Sequence, residues 1–181
     1  KSADNALEKI ISAWGGIDVL ILNAGDGAAA PIDKTTNDIW EHSIAINLTA
    51  PFQYVRAAVP AMKEAKFGRI IVIASSAGLI GEPNVSAYTA AKHGVVGLTK
   101  AAALDYANSG IRINSVCPGA TETPNLLRVT GGDAHALDAM IPVGHLGQPA
   151  DIARTICWLL SDEAAYVTGA NFSVDGGMSA G

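Results

Sequence analysis

At 181 residues, with 49% hydrophobic and 16% charged side chains, the chain has the size and balance of one packed domain and not of a disordered segment. A formal net charge of −5, with acidic and basic residues interspersed, leaves no Lys/Arg cluster to follow a phosphate backbone, so nucleic acid is not an expected partner. Apolar runs such as residues 70–74 fall far below the roughly 18 of a membrane helix, no leader pattern is visible, Cys117 and Cys157 form no CxxC and the four histidines lack metal-binding spacing, so a protein without membrane span or metal, in a reducing, cytoplasmic setting, is expected.

Residues 2–14 carry Ala6, Leu7, Ile10, Ile11 and Trp14 at i, i+3/i+4 spacing, which predicts a helix ended by Gly15-Gly16. Residues 17–22 are a short apolar run closed by Asn23-Ala24-Gly25, the pattern of a parallel strand buried on both faces. A helical period over residues 36–66, with Leu48, Phe52, Val55, Val59 and Met62 in step, is interrupted by Pro51 and Pro60, so kinks are expected. Residues 69–75 (RIIVIAS) predict a second strand, 86–108 an alanine-rich helix and 111–117 a third strand. A helix over 149–161 opens on Pro149, and 171–174 form a last strand before Asp175-Gly176-Gly177.

This alternation gives right-handed βαβ crossovers, hence an α/β fold in which a doubly wound parallel sheet carries helices on both faces. Residues 1–181 read as a single domain. Within it, 120–148 break the pattern with Gly131-Gly132 and Pro142, and an insert at the C-terminal edge of a parallel sheet is where substrate is gripped.

Tyr88-Thr-Ala-Ala-Lys92 places a phenol and an ammonium four positions apart, on one face of the predicted helix. Taken alone, the pair is more often a half-buried tyrosine beside a solvated lysine. Ser75, however, closes a buried strand thirteen residues earlier and is followed by Gly78 and Gly81, so a hydroxyl is delivered to the same cleft. Ser76 competes for that role, and Asn47 competes with an ordinary helix asparagine bonded to its own backbone.

Asn23-Ala24-Gly25, Asn47, Ser75, Tyr88, Lys92, Pro118-Gly119 and Val174-Asp175-Gly176-Gly177 follow the order and spacing of the short-chain dehydrogenase/reductase family, which the chain resembles over essentially its whole length. The resemblance implies a Rossmann-like fold whose N-terminal strands and glycine-rich cofactor loop are missing from these residues. It implies an enzyme that uses NAD or NADP to interconvert a secondary alcohol and a ketone. Tyr88 would be the general acid/base, Ser75 would bond the reacting oxygen, Lys92 would hold the nicotinamide ribose and lower the Tyr88 pKa, and Asn47 would position a water linking Lys92 to solvent. Cofactor contacts are implied for Asn23, Ala24, Gly25, Tyr88, Lys92, Pro118, Gly119, Thr121 and Thr123. Leu22 stands where many members have a further asparagine. Gly25-Asp26-Gly27 fits a relaxed dinucleotide pattern, but Pro31 follows and no helix of its own does, so it is set aside.

His93 faces about 100° away from Lys92 and reads as a packing or interface residue, while His135 and His145 lie in the insert, where either contacts substrate or is solvated. Leu126, Leu127, Val129, Leu137 and Met140 suggest an apolar pocket for a small-molecule alcohol or ketone. The helix over 86–108 carries small residues on several faces, and the resemblance implies that it and the long helix before it pack against a two-fold mate in a homodimer or homotetramer. The alternative to an enzyme is a catalytically incompetent or non-enzymatic remnant; an extended sugar-nucleotide epimerase ranks lower, because only a short stretch follows Lys92. With no strand preceding it, the strand over 17–22 is expected at a sheet edge.

Overall fold

The computed structural model describes residues 2–180. Its helices are α1 (Ser2–Trp14), α2 (Asn37–Ile44), α3 (Ala50–Ala65), α4 (Ser86–Tyr106), α5 (Pro124–Val129) and α6 (Pro149–Leu160). Four strands, β1 (Val19–Leu22), β2 (Gly68–Ile73), β3 (Ile111–Pro118) and β4 (Asn171–Val174), form one sheet in chain order with every pair parallel. Parallel strands need crossovers, and each connection here carries at least one helix.

Alternation along the central strands decides which helix covers which face. Ile70 and Val72 of β2, with Ile111 and Ile113 of β3, meet Leu7 of α1, Val55, Val59 and Met62 of α3, and Val95 of α4. The intervening Ile71, with Val116, meets Leu159 of α6 on the opposite face. Both central strands are therefore buried on two sides, β3 with Arg112, Asn114 and Ser115 among its apolar residues, whereas β1, expected to be buried on both faces, leaves Val19 and Ile21 exposed. Arg112 ties α6 down: its guanidinium is buried in β3 and donates to the Leu159 carbonyl at 2.8 Å and the Ser161 carbonyl at 2.9 Å, supplying donors to carbonyls a helix C-terminus leaves free.

Two local features differ from expectation. The helix over 36–66 is broken into α2 and α3 by a π-helical turn, Ala45–Thr49, just before Pro51, while Pro60 lies inside α3. Proline has no N–H to donate and crowds the preceding turn, so the ladder widens ahead of Pro51. The insert at 120–148 contains α5 and a 3-10 turn, His135–Met140, around a small core of Ala134, Ile141 and Leu146. The expected strand over 17–22 shortens to β1, which is an edge of the sheet among the described residues.

Candidate active site

Because all four strands run the same way, their C-terminal ends gather on one rim of the sheet, and the predicted polar residues gather with them. A cleft of about 800 Å³ opens there, lined by Asn23, Gly25, Ser75, Tyr88, Lys92, Pro118, Gly119, Thr121 and Thr123 among others. Ala24 is exposed beside it and is not part of the lining, and Asn47 is buried behind Gly25 and Lys92.

Tyr88 stands in the first turn of α4 and Lys92 one turn further on the same face, with the Lys92 Nζ 5.4 Å from the phenol ring centroid. The 3-10 turn Ser76–Gly78 packs against this helix so closely that a Cβ at Gly78 would lie 2.9 Å from the Lys92 carbonyl oxygen. That contact carries Ser75 to Tyr88. The Ser75 side chain caps the turn by accepting from the Ala77 N–H at 3.2 Å, and it lies close enough to Tyr88 to favour the phenolate. Ser76 is buried and spends its hydroxyl on the Glu82 carboxylate at 2.8 Å, so the geometry brings Ser75 to the cleft and leaves Ser76 out of its lining.

Lys92 is only 4% exposed, and its Nζ donates to the Ile73 carbonyl at 2.8 Å. Burial lowers its pKa to about 8, with the Cys117 thiol beneath it acting in the opposite sense. Tyr88 departs from expectation. Burial raises its pKa above the usual tyrosine value, the Ser75 hydroxyl opposes the rise, and Glu82 and Asp26 reinforce it by charge. The Lys92 ammonium does not offset this, because it is turned to a backbone carbonyl and its own charged form is disfavoured by the same desolvation.

Asn47 owes its inward position to the π turn. Its Nδ2 donates to the Asp26 carbonyl at 2.6 Å and the Ser43 carbonyl at 3.0 Å, while its Oδ1 is buried without a partner. A Cβ at Gly25 would lie 2.9 Å from that Oδ1 and 3.4 Å from the Lys92 Nζ, so only glycine lets the loop after β1 pass this close. An unsatisfied acceptor beside an ammonium is a place for a donor such as water.

The remaining predicted residues take mixed parts. Thr121 donates to the Gly119 carbonyl at 3.0 Å, and Thr123 caps α5 by accepting from the Leu126 N–H at 3.2 Å, so both hydroxyls already hold local structure. Gly119 is pressed against the end of β4, where a Cβ would meet Asp175 at 2.8 Å. His93 and His135 are exposed and bonded to Thr89 and Asp138, and His145 lines a separate cavity of about 180 Å³. Residues the motifs miss are Asp26, Glu82 and Arg128. Arg128 of α5 reaches Asp26 at 3.2 Å across 102 positions of sequence, a pairing with no local signal.

Whether this rim fits a nicotinamide and its ribose is a question of donors and space. The orphaned Asn47 Oδ1, the buried ammonium, the close backbone approach at Gly25 and the room beside Asn23, Gly119 and Thr121 meet both needs. Residues 1–179 match a family model described as enoyl-(acyl carrier protein) reductase. Cyclohexanol dehydrogenase of Acinetobacter sp. (strain SE19) is 44% identical over 94% of this chain, which spans about two thirds (67%) of that relative. The solved structure titled "ElxO with NADP Bound" superposes with a TM-score of 0.93 at 30% identity, covering 99% of this chain and 74% of the other. A 4-hydroxyisoleucine dehydrogenase complexed with NADH gives 0.85 at 34% identity over 98% and 78%. A parallel sheet that delivers Ser75, Tyr88 and Lys92 to one rim, together with these likenesses, makes the chain a member of the short-chain dehydrogenase/reductase family, a family of oxidoreductases.

Proposed function

We propose that the protein interconverts a secondary alcohol and a ketone with NAD or NADP, Tyr88 serving as general acid and base. The observation that carries this reading is the convergence of the Tyr88 phenol, the Ser75 hydroxyl and the Lys92 ammonium on one cleft, with Asn47 directly behind them. Likeness to a cyclohexanol dehydrogenase and to NADP- and NADH-bound structures supports the substrate and cofactor classes. Asn23, Ala24, Gly25, Tyr88, Lys92, Pro118, Gly119, Thr121 and Thr123 are the residues that would hold the nicotinamide side. When bound, the cofactor accepts or supplies the hydride.

The protein's own side chains handle the oxygen. In the reductive direction Tyr88 gives its phenolic proton to the carbonyl oxygen, and Ser75 donates a hydrogen bond to the same atom. In the oxidative direction the Tyr88 phenolate takes the proton from the alcohol. Tyrosine is already protonated at neutral pH, and burial pushes the Tyr88 phenol further toward that form, the one reduction uses. Lys92 holds the ribose and, through Asn47 and a water at its free Oδ1, exchanges protons with solvent. The insert at 120–148 closes the substrate side with Leu126 and Val129.

Tyr88→Phe tests the reading, because it removes the transferable proton and little else. Turnover of cyclohexanol should fall by at least a thousandfold in the full-length protein while nucleotide affinity stays within a few-fold of wild type. Activity within tenfold of wild type overturns the assignment.

A further inference from the structure

Four charged side chains line the cleft, Asp26, Glu82, Lys92 and Arg128, and three of them are engaged. Arg128 is held by the Asp26 carboxylate at 3.2 Å and by the Asn125 Oδ1 at 2.7 Å. Asp26 is paired with that guanidinium, has the His42 Nε2 at 3.8 Å, and accepts from the Gly27 N–H at 2.9 Å. Lys92 is turned to the Ile73 carbonyl. Glu82 alone meets no cation among the described residues; its recorded partner is the Ser76 hydroxyl at 2.8 Å, a neutral donor that fixes the carboxylate without cancelling its charge. Other side chains lining the cleft, such as Ala28, Ala29, Val85, Leu126 and Val129, are uncharged.

We propose that Glu82 is a specificity-determining residue that turns this cleft toward uncharged alcohols and ketones and against those bearing a carboxylate, sulfonate or phosphate near the reacting carbon. The proposal rests on the oxidoreductase reading above and deepens it. A half-buried charge with no counter-ion at the cleft wall repels an anionic substituent across a few ångströms. The influence of Glu82 already reaches the Tyr88 hydroxyl, the atom nearest the chemistry. Arg128 is the device that would act oppositely, by leaving Asp26 to bind an anionic substrate. Its two bonds hold it in the pair instead.

The test uses 4-oxocyclohexanecarboxamide and 4-oxocyclohexanecarboxylate, two ketones of the same shape and different charge, bound to the full-length protein loaded with oxidised cofactor so that neither turns over. Calorimetry should show the carboxamide binding more tightly to wild type, on the order of tenfold. Glu82→Gln should move the affinity ratio toward the carboxylate by a similar factor, and Glu82→Asp, which keeps the charge, should hold it near the wild-type value. A ratio unmoved in Glu82→Gln, or moved equally by Asp and Gln, overturns the proposal. So does a wild-type preference for the carboxylate that disappears in Arg128→Gln, or a cleft that binds neither ketone. Discrimination in binding without reduction of the carboxamide by NADH or NADPH would sink the oxidoreductase reading and leave the role of Glu82 standing.

Discussion

Burial moves the two titrating groups of the cleft in opposite directions, Tyr88 up and Lys92 down, because each is pushed toward its neutral form. Alcohol oxidation needs the phenolate, so its rate should climb with pH through and beyond neutrality, whereas ketone reduction needs the phenol and should stay level until the same limb removes it. The groups facing Tyr88 are Ser75, Glu82, Asp26 and Lys92, and the limb should move down when either carboxylate is made an amide. An oxidative profile flat from pH 6 to 10 would count against Tyr88 as the base. Lys92 also carries a stability signature. Its folded pKa lies below the unfolded value, so between about 8 and 10.5 the unfolded chain binds the extra proton and stability rises with pH. Wild type should therefore gain on the order of 2 kcal/mol over Lys92→Met between pH 7 and 10, measured by urea unfolding, even though the variant loses activity. Ser75, Tyr88 and Lys92 were legible in the sequence because a strand end and a four-residue helical step are local patterns. The direction of the Tyr88 shift was not, since it depends on burial and on Glu82 and Asp26, which only the fold brings near.

The element that sets the site's dimensions is the contact between α4 and the 3-10 turn after β2. Gly78 has no Cβ to fit between that turn and the Lys92 carbonyl, and the obstacle is backbone, which cannot rotate aside. Gly78→Ala should cost about 1–3 kcal/mol of stability, and by moving Ser75 relative to Tyr88 it should lower kcat by about a hundredfold. Gly97 lies in the same helix with nothing within 4 Å of its Cβ position, so Gly97→Ala should be neutral or stabilising by up to about 1 kcal/mol. Equal effects of the two substitutions, in melting and in kcat, would show that packing against the turn is not what positions the site. Helices and strands were legible here from period and alternation, and α1 and β4 begin and end where the sequence predicts. The π turn was not legible. Its residues Ala45–Thr49 keep the helical pattern, and only the extra residue in the backbone ladder turns Asn47 toward Asp26.

On the scale of the molecule, the parallel arrangement that collects the polar residues on one rim also leaves β1 as an edge among the described residues. Leu20 and Leu22 of β1 pack into the core beneath α1 and α3, but Val19 and Ile21 on the other face are 42% and 44% exposed, where α6 packs chiefly on β2 and β3. Taken alone, the described residues leave this strand one unpaired edge and one uncovered apolar face, a template for another chain, with Asp18 next to it in sequence and Arg69 in register with Val19 as nearby charges. Exposed apolar side chains also stand on α3 and α4, Phe52 at 44% and Leu104 at 81% exposure, and we propose that the protein forms a homodimer or homotetramer through these helices. The two surfaces predict different behaviour. Association through the helices should be saturable and symmetric, giving a dimer or tetramer, whereas pairing along β1 is open-ended and should grow with concentration. In a chain of these residues alone, Val19→Lys combined with Ile21→Lys should therefore suppress concentration-dependent growth in light scattering and leave any discrete oligomer in place, at a cost of about 1–2 kcal/mol because both side chains are half-buried and Lys at 19 would stand beside Arg69. Leu104→Glu should do the reverse. If the double lysine variant dissolves the discrete oligomer as well, the sheet edge and not the helix pair is the subunit contact.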